Sequence, residues 1–492
     1  MPRVLLINPP QKYFGSSRMF NVYFPIGLLY VGAMIKKICD VKILDCLVTD
    51  FEILKKKEYT LYGTSFKRIK EIIKNENPDI VGISIPFSAQ SEQAIKISRI
   101  CKEVNPKIIV IFGGPDASVR YDMLLKEKTC DFCVVGEGEE TFFEVVKKFS
   151  SKQNLYNIEG LAYKKDKKIQ YKARPFIKNL DSLPLPAYDL ININDYLKNK
   201  YLYATRGDLG KKSISIITSR GCPFNCVFCS IKLHMGNGWR ANSPDYVINH
   251  LKLCINKLGI RNFHFEDDNF SLDRKRFEAI LDKIIENKLN IKWDVPNGLR
   301  ADSLDYNLLK KMKKSGCKMI KIAIESGNQY VLDKIIKKNL SLKKVLEVVK
   351  DCKKLKIVLI AFYVVGLPGE TLDNIKETLN LAIKLLREYD CYPYVSVATP
   401  LYGTELYNIC VKNKIIKKMN DKDFATATQI DGNHPISTKE FSKDDLDKAL
   451  KEYKSELKKE MVKYFLRHPG IALDKLIHKS LVLGDFFKLI KK

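Results

Sequence analysis

The chain has 492 residues, of which 45% are hydrophobic and 29% are charged, and its formal net charge is +28. This composition is that of a globular protein with two or three domains. Since no apolar run reaches the roughly 18 residues that a membrane span needs, the sequence excludes a transmembrane helix. The excess of lysine suits an acidic partner such as nucleic acid, but it is equally typical of solvated helix faces, so we do not predict nucleic-acid binding.

The chain contains thirteen cysteines, and its first residues do not resemble a secretory signal. The apolar run VLLINPP at 4–10 ends in Asn-Pro-Pro and has no small-residue cleavage site, so we interpret it as a buried first strand. In the absence of a secretory signal, clustered thiols are more often metal ligands than disulfides. We therefore expect a cytoplasmic protein.

Residues 1–151 alternate buried strands with amphipathic helices, which predicts a doubly wound parallel sheet. The predicted strands are 4–10, 41–46, 79–87, 107–115 and 131–138, and the predicted helices are 26–39, 64–77 and 91–104.

Ligands of such sheets bind beyond the carboxyl ends of the strands, where glycines allow close approach to the backbone. The residues that the sequence places there are Asn8, Pro9, Ser84, Gly113, Gly114, Asp116, Gly136, Glu137 and Gly138. Ordinary strand-to-helix turns would contain the same residue types.

Residues 152–211 lose this alternation and are predicted to be a linker, with a hairpin signal (LAYKKDKKIQY) and a proline-rich stretch (SLPLPAYDL). From 212 to 430 the alternation returns six times, which predicts a partial (β/α)6 barrel of the TIM type. Its predicted strands are 213–219, 262–267, 291–299, 317–326, 357–367 and 394–401. Capping signals for the following helices occur at Ser243, Ser303 and Thr371.

The loop TSRGCPFNCVFCS at 218–230 follows the first barrel strand and contains Cys222, Cys226 and Cys229 in a C-x3-C-x2-C pattern. An iron–sulfur cubane has four irons that each need one external ligand, so three thiolates leave one iron open. A Cys3His zinc site with His234 as its fourth ligand is the alternative that the spacing allows. Phe228 suits packing on a flat ligand beside the cluster, or a place in the core.

This motif at this place in a six-fold barrel resembles the radical S-adenosylmethionine (SAM) superfamily, over about residues 213–430. The resemblance implies a [4Fe–4S] cluster on the three cysteines, with SAM chelating the open iron. It also implies that an electron from an external flavodoxin- or ferredoxin-type donor cleaves SAM to methionine and a 5′-deoxyadenosyl radical. The positions that match SAM contacts of the family are Phe228, Glu266, Asp267, Arg300, Glu325, Ser326, Gly366 and Gly369.

A flavodoxin-like (Rossmann-type) domain ahead of the barrel, with GGPDAS and VVGEGEETF, resembles the cobalamin-binding subgroup of that superfamily. The resemblance implies that the nine residues named at the carboxyl ends of the first strands hold cobalamin. All six histidines lie at 234 or later, so this domain has no imidazole to place on cobalt. Members that bind cobalamin without a histidine ligand share this feature, and so would a degenerate domain that has lost cobalamin.

We therefore predict an enzyme that methylates an unactivated carbon of a small-molecule or lipid-like substrate. As the resemblance implies, the deoxyadenosyl radical removes a hydrogen atom, the carbon radical takes a methyl group from methylcobalamin, and a second SAM remethylates cob(I)alamin. A radical SAM enzyme that cyclises, couples or rearranges its substrate is one alternative, and a non-catalytic corrin or cluster carrier is another. Tyr363 and Tyr402 suit proton or radical handling, although packing is the simpler role.

The other cysteines give no strong metal signal. Cys130 and Cys133 form a C-x2-C pair beside a buried strand, where a structural role is favoured. Cys39, Cys46, Cys101 and Cys130 could hold a second cluster, as in radical SAM methylthiotransferases, but their surroundings do not resemble that family.

Residues 431–492 are predicted to form a helical extension. Its last part, 463–492, mixes aromatic and aliphatic residues with lysine and is broken at Pro469 and Gly470. Such a stretch can lie peripherally on a membrane, but we favour a helix that packs on the barrel.

Overall fold

The computed structural model describes residues 1–14, 20–199, 201–202, 209, 212–416, 419, 421–427, 430 and 432–468. These described residues divide into two compact units, the first within Met1–Leu202, Ser230–Ala241 and Asn420–Ala425, and the second within the rest of the described chain. No helix within these described ranges is both long and apolar enough to cross a membrane.

The strands are β1 (Arg3–Asn8), β2 (Gln11–Phe14), β3 (Asp40–Asp45), β4 (Glu52–Lys55), β5 (Tyr59–Gly63), β6 (Ile80–Ser84), β7 (Ile109–Gly113), β8 (Phe132–Val134), β9 (Leu161–Lys165), β10 (Lys168–Gln170), β11 (Ser213–Ile216), β12 (Ser219–Arg220), β13 (Arg240–Ala241), β14 (Asn262–Phe265), β15 (Lys292–Asp294), β16 (Cys317–Glu325), β17 (Val358–Val365) and β18 (Tyr392–Val397).

The α-helices are α1 (Ile26–Ile35), α2 (Phe66–Glu76), α3 (Ser91–Val104), α4 (Pro115–Leu124), α5 (Gly138–Ser150), α6 (Ile193–Leu197), α7 (Ile231–Met235), α8 (Pro244–Leu258), α9 (Arg274–Glu286), α10 (Tyr306–Lys314), α11 (Leu342–Lys354), α12 (Leu372–Tyr389), α13 (Glu405–Lys412), α14 (Asp421–Thr426) and α15 (Lys443–Arg467). Short 3-10 turns occupy Ser88–Gln90, Leu180–Ser182, Tyr188–Leu190 and Ala301–Ser303, and a π-helix occupies Val331–Ile335.

The first unit is built on a seven-stranded sheet in the order β10-β9-β8-β7-β6-β1-β3. Five of the seven strands are parallel, namely β1, β3, β6, β7 and β8. Their order is that of flavodoxin, so the predicted doubly wound fold is confirmed. Apolar side chains of β1 point alternately to the two faces of the sheet. Leu5 and Ile7 pack with residues of α2 and α3, whereas Val4 and Leu6 pack with residues of α1 and α5. The first unit also contains a separate antiparallel sheet in the order β2-β5-β4.

The hairpin signal that we placed in the linker forms β9 and β10, and β9 pairs antiparallel with β8. The pairing covers the open edge of β8 and makes the hairpin part of the main sheet. The hairpin therefore belongs to the first unit, which continues through the predicted linker to Leu202.

The second unit contains a six-stranded parallel sheet in the order β11-β14-β15-β16-β17-β18, which is the chain order expected of a partial barrel. Its helix-facing side is aromatic, since the Phe265 ring stacks on Phe270 at 4.5 Å and packs edge-on against Trp293. Ser243 and Thr371 cap α8 and α12 as predicted, by accepting hydrogen bonds from Tyr246 N and Asn374 N.

Two predictions near the helix termini had different outcomes. The cap predicted at Ser303 is wrong, because the cap of α10 is Asp305, whose carboxylate accepts a hydrogen bond from Leu308 N (2.9 Å). The C-terminal helix is present as α15, which packs against Leu386 through Met461, Tyr464 and Phe465. Residues 469–492 of the predicted membrane-compatible tail lie outside the described residues.

Candidate active site

The three motif cysteines lie in the loop that follows β11, at the carboxyl edge of the second unit's sheet. Cys222, Cys226 and Cys229 are partly exposed, whereas the other ten cysteines are buried. A turn brings the last two together, with Cys229 N donating to Cys226 O (3.0 Å). Three accessible thiols on one loop fit the donor set of a [4Fe–4S] cluster with one open iron.

A cubane needs each thiolate to bind a different iron, so its cysteines need not converge on one point. Among the residues that the structure describes, no three His, Cys, Asp or Glu side chains are grouped to hold a single metal ion. The Cys3His alternative with His234 thus has no corresponding group there.

Four consecutive side chains after β14, Glu266–Asn269, bind the first half of the cysteine loop and the strand before it. The hydrogen bonds run from Ser215 Oγ to Glu266 (2.9 Å), from Thr218 N and Oγ1 to Asp267 (2.9 and 2.7 Å), from Ser219 Oγ to Asp267 (2.5 Å), from Gly221 N to Asp268 (2.9 Å) and from Asn269 Nδ2 to Cys222 Sγ (4.0 Å). Five of the eight residues at 215–222 are therefore bonded to side chains of a single short segment.

Asp267 is the most deeply buried member of this segment, with 2% exposure. Burial raises its pKa, while Arg276 and the hydroxyl donors oppose that rise. Arg276 also donates to Thr218 O (2.9 Å) and Asn242 O (2.7 Å), so it connects the loop to the start of α8. Both oxygens of Asp267 are thus engaged by the protein itself, at a position that we predicted as a SAM contact.

The second half of the loop is held by a different set of residues of the second unit. The Arg300 guanidinium lies over the Phe224 ring at 3.7 Å and is fixed by Asp302 (2.6 and 3.0 Å) and by Lys338 O (3.1 Å). Val227 N donates to Ile336 O (3.1 Å). The aromatic ring that contacts Arg300 belongs to Phe224, for which the sequence predicted no role. Phe228, the predicted aromatic neighbour of the cluster, is half-buried beside Cys229.

A buried ion pair lies near Cys226. Lys338 Nζ is 2.9 Å from Glu325 Oε1, and the two side chains are 6% and 10% exposed. Glu325 has a φ of 73°, which is unusual for a residue with a side chain and is found where the surroundings force it, often at functional sites. Burial raises the pKa of Cys226 and Glu325 adds to the rise, whereas Lys338 and Arg300 favour the thiolate. Lys338 carries no sequence signal that we recognised.

The remaining predicted SAM positions lie on two turns of the second unit. Ser326 is buried and bonds to Thr378 Oγ1 at 2.9 Å. Gly366 and Gly369 have φ values of 85° and 94°, so they form a turn that side chains would strain. Glu370 folds back under this turn and accepts from Leu367 N (2.7 Å). Tyr363 is fully buried and Tyr402 packs on Tyr407 (5.1 Å), and these surroundings favour the packing role over proton or radical handling.

The buried carboxyl of Glu370 predicts a pH dependence of stability. Burial raises its pKa from 4.5 to about 8, so the folded protein binds this proton more tightly than the unfolded chain. Its contribution is therefore complete below about pH 4.5 and is lost as the pH rises towards about 8. We expect Glu370→Gln, which stays neutral, to lose less stability than the wild type between these limits, by a few kcal/mol. Urea unfolding of the apoprotein across this range measures it, and parallel pH profiles would contradict the assignment.

The predicted corrin-binding residues lie at the carboxyl edge of the first unit's main sheet. Ser84, Gly113, Gly114, Gly136 and Gly138 are half-exposed there, and Phe87, just past β6, is 60% exposed. A Cβ on Gly113 would meet only Val134 Cβ, at 3.9 Å, so a ligand can approach that backbone. The flavodoxin order reverses between β1 and β6, which is where ligands of such sheets bind. An exposed ring and open glycine backbone fit a large flat ligand.

Other predicted members of this edge are engaged within the first unit. Asn8 donates to Asp45 (2.9 Å), whose pKa burial raises to about 6. Asp116 pairs with Arg120 (2.6 Å). The remaining two predicted corrin-binding residues are Pro9, which is buried, and Glu137. The Glu137 carboxylate accepts hydrogen bonds from the Arg240 guanidinium (2.8 Å) and from Ile177 N (2.7 Å).

Family comparisons agree with this architecture. The radical SAM superfamily profile matches residues 216–382, and the B12 binding domain profile matches residues 18–146. Together with the two parallel-sheet units, these matches define a radical SAM enzyme with a B12-binding domain.

Relatives cover almost the whole chain. It is 30% identical to an uncharacterized methyltransferase of Pyrococcus horikoshii, over 98% of this chain and 96% of the relative. It is 27% identical to the cytidylyl-2-hydroxyethylphosphonate methyltransferase of Streptomyces wedmorensis, over 84% of this chain and 82% of that protein. The fold resembles the radical SAM methyltransferase TsrM of Kitasatospora setae, solved with tryptophan substrate and a SAM analogue, with a TM-score of 0.67 and 16% identity over 85% and 78% of the two chains. The chain belongs to the cobalamin-dependent radical SAM methyltransferase family.

Proposed function

We propose that the protein transfers a methyl group to an unactivated carbon of a small molecule, using a [4Fe–4S] cluster on Cys222, Cys226 and Cys229, SAM and cobalamin. The observation that carries the proposal is the contrast between three accessible thiols on a fixed loop and ten buried ones. When bound, the reduced cluster supplies the electron that cleaves SAM, and the corrin supplies the methyl group.

We assign SAM binding to residues around this loop. The methionyl end of SAM carries an ammonium and a carboxylate, and the Glu325–Lys338 pair with Arg300 provides charges of both signs beside Cys226. Glu370 keeps the Gly366–Gly369 turn in shape by accepting from Leu367 N. The positions that we propose as SAM contacts are Phe228, Glu266, Arg300, Glu325, Ser326, Gly366 and Gly369. For Asp267, the remaining predicted position, we propose a positioning role, because both its oxygens hold the cysteine loop.

We assign cobalamin to the carboxyl edge of the first unit's main sheet. Glycine backbone at Gly113, Gly114 and Gly136 would face the corrin, and Phe87 would cover part of it. The proposed set comprises Asn8, Pro9, Ser84, Gly113, Gly114, Asp116, Gly136, Glu137 and Gly138. Because every histidine lies at 234 or later, residues 1–202 provide no imidazole for cobalt.

Cobalamin binding distinguishes methyl transfer from the alternative of cyclisation, coupling or rearrangement. We expect anaerobically reconstituted protein, incubated with hydroxocobalamin and desalted, to retain about one corrin per chain in its visible spectrum. Glu92→Gln, an exposed change on α3, is the control and should retain the same amount. A protein with a complete cluster that retains no corrin would refute methyl transfer and favour the alternative.

A further inference from the structure

A small groove opens on the second unit beside the cysteine loop, with a volume of about 190 Å³. Its floor is apolar and includes Val227, Leu367 and Leu406, and its rim includes Lys334, Lys337 and Glu405. Binding pockets for small molecules are typically about 300–1,000 Å³, so this groove is too small for the substrate. It is large enough for one or two side chains of a partner protein.

The groove is connected directly to the proposed cluster ligands. Val227 immediately follows Cys226, and neighbouring Cα atoms are only about 3.8 Å apart. The backbone of Val227 is fixed from both walls, by a bond to Ile336 O (3.1 Å) and one from Leu406 N (2.9 Å). Since electron transfer through protein weakens steeply with distance, a redox partner seated here would be well placed to reduce the cluster.

The rim of the groove is basic. Lys334 and Lys337 are exposed on and just after the π-helix. Lys337 is ion-paired with Glu405, whereas Lys334 forms no ion pair with any residue that the structure describes. Lys412 is exposed on α13 three residues after Ile409, another lining residue, and so lies on the same helix face. Two lysines and one glutamate line the groove, and Lys412 adds a third lysine beside it. The resulting net positive charge next to an apolar floor is complementary to an acidic protein surface.

We propose that this groove is the docking surface of the external one-electron donor, an acidic protein of the flavodoxin or ferredoxin class. The inference rests on the proposed function, because only a cluster that must be reduced needs such a donor. In the transfer the donor loses one electron and the cluster gains it, and no bond or proton changes at the groove. The floor excludes water from the contact, and the lysines orient the acidic partner.

The test compares two sources of the same electron. Full-length reconstituted enzyme forms 5′-deoxyadenosine from SAM with either reduced flavodoxin or dithionite, a small reductant that needs no docking surface. For Lys334→Glu combined with Lys337→Glu, we expect kcat/KM for flavodoxin to fall about tenfold or more and to lose most of its salt dependence. The rate with dithionite should stay within about twofold of the wild type, since exposed charges contribute little to stability.

Two further variants define the comparison. Lys334→Gln with Lys337→Gln removes the charges without reversing them and should give an intermediate loss. Lys310→Glu, on α10 and outside the groove lining, should leave both rates unchanged. An unchanged flavodoxin rate in the charge-reversed variant would overturn the proposal, and so would an equal loss with dithionite, because the damage would then lie in the cysteine loop. Wild-type enzyme that is inactive with both reductants would instead refute the proposed function.

Discussion

Cys226→Ala is expected to abolish cluster assembly and, with it, all cleavage of SAM. The variant leaves two thiolates on the loop, and a cubane that already has one open iron cannot be held by two ligands. We expect the wild type to contain about four irons and four sulfides per chain after anaerobic reconstitution, and the variant to contain less than about a tenth of this. The broad visible absorbance of the cluster should be lost in parallel.

The matched control for this prediction is Cys254→Ala. Cys254 is also a cysteine of the second unit, but it is buried in α8 and lies outside the motif. Its replacement should leave iron content and 5′-deoxyadenosine formation near the wild-type values. Normal iron content in Cys226→Ala would show that the cluster ligands have been assigned incorrectly.

Asp267→Asn is expected to destabilise the second unit and to prevent cluster assembly. The carboxylate accepts from Thr218 N, Thr218 Oγ1 and Ser219 Oγ and faces the buried Arg276 cation. An asparagine leaves that cation without its anion and turns an NH2 group towards donors that need an acceptor. Breaking a buried charge interaction in this way costs about 3–5 kcal/mol.

Urea unfolding of the apoprotein measures this loss, and iron analysis after reconstitution measures the effect on the loop. Asp282→Asn provides the comparison, because Asp282 forms an exposed ion pair with Lys311 (3.0 Å) whose loss costs less than about 1 kcal/mol. An Asp267→Asn protein that unfolds within about 1 kcal/mol of the wild type and assembles a full cluster would contradict the anchoring role.

The strands of both main sheets were predictable because their apolar runs are bounded by turn residues. Strand β6 of the first unit is buried on both faces, whereas in β17 and β18 buried side chains alternate with more exposed ones. Thus 107–115 contains β7, and 317–326 contains β16 almost residue for residue. The hairpin β9–β10 was recognised as a hairpin, but its pairing with β8 is a contact between distant residues that local patterns do not encode. Ser303 was misassigned as a cap because Asp305, two residues later, competes for the same role.

The cysteine loop was recognisable because thiols at this spacing have few uses. The residues that hold this loop in place could not be recognised from the sequence. Asp267 and Asp268 stand out as charged residues at a strand end, but nothing local says that they bind the loop and not a ligand. The stacking of Arg300 on Phe224 joins residues far apart in sequence, and the Lys338–Glu325 pair joins residues 13 positions apart on either side of the π-helix. Local sequence patterns predict neither contact.

The most direct test of the account is the formation of 5′-deoxyadenosine by the reconstituted wild-type protein with SAM and dithionite under anaerobic conditions. Mass spectrometry of the quenched reaction should detect 5′-deoxyadenosine together with methionine, and neither should form in Cys226→Ala. A protein with a complete, reduced cluster that leaves SAM intact would contradict the account.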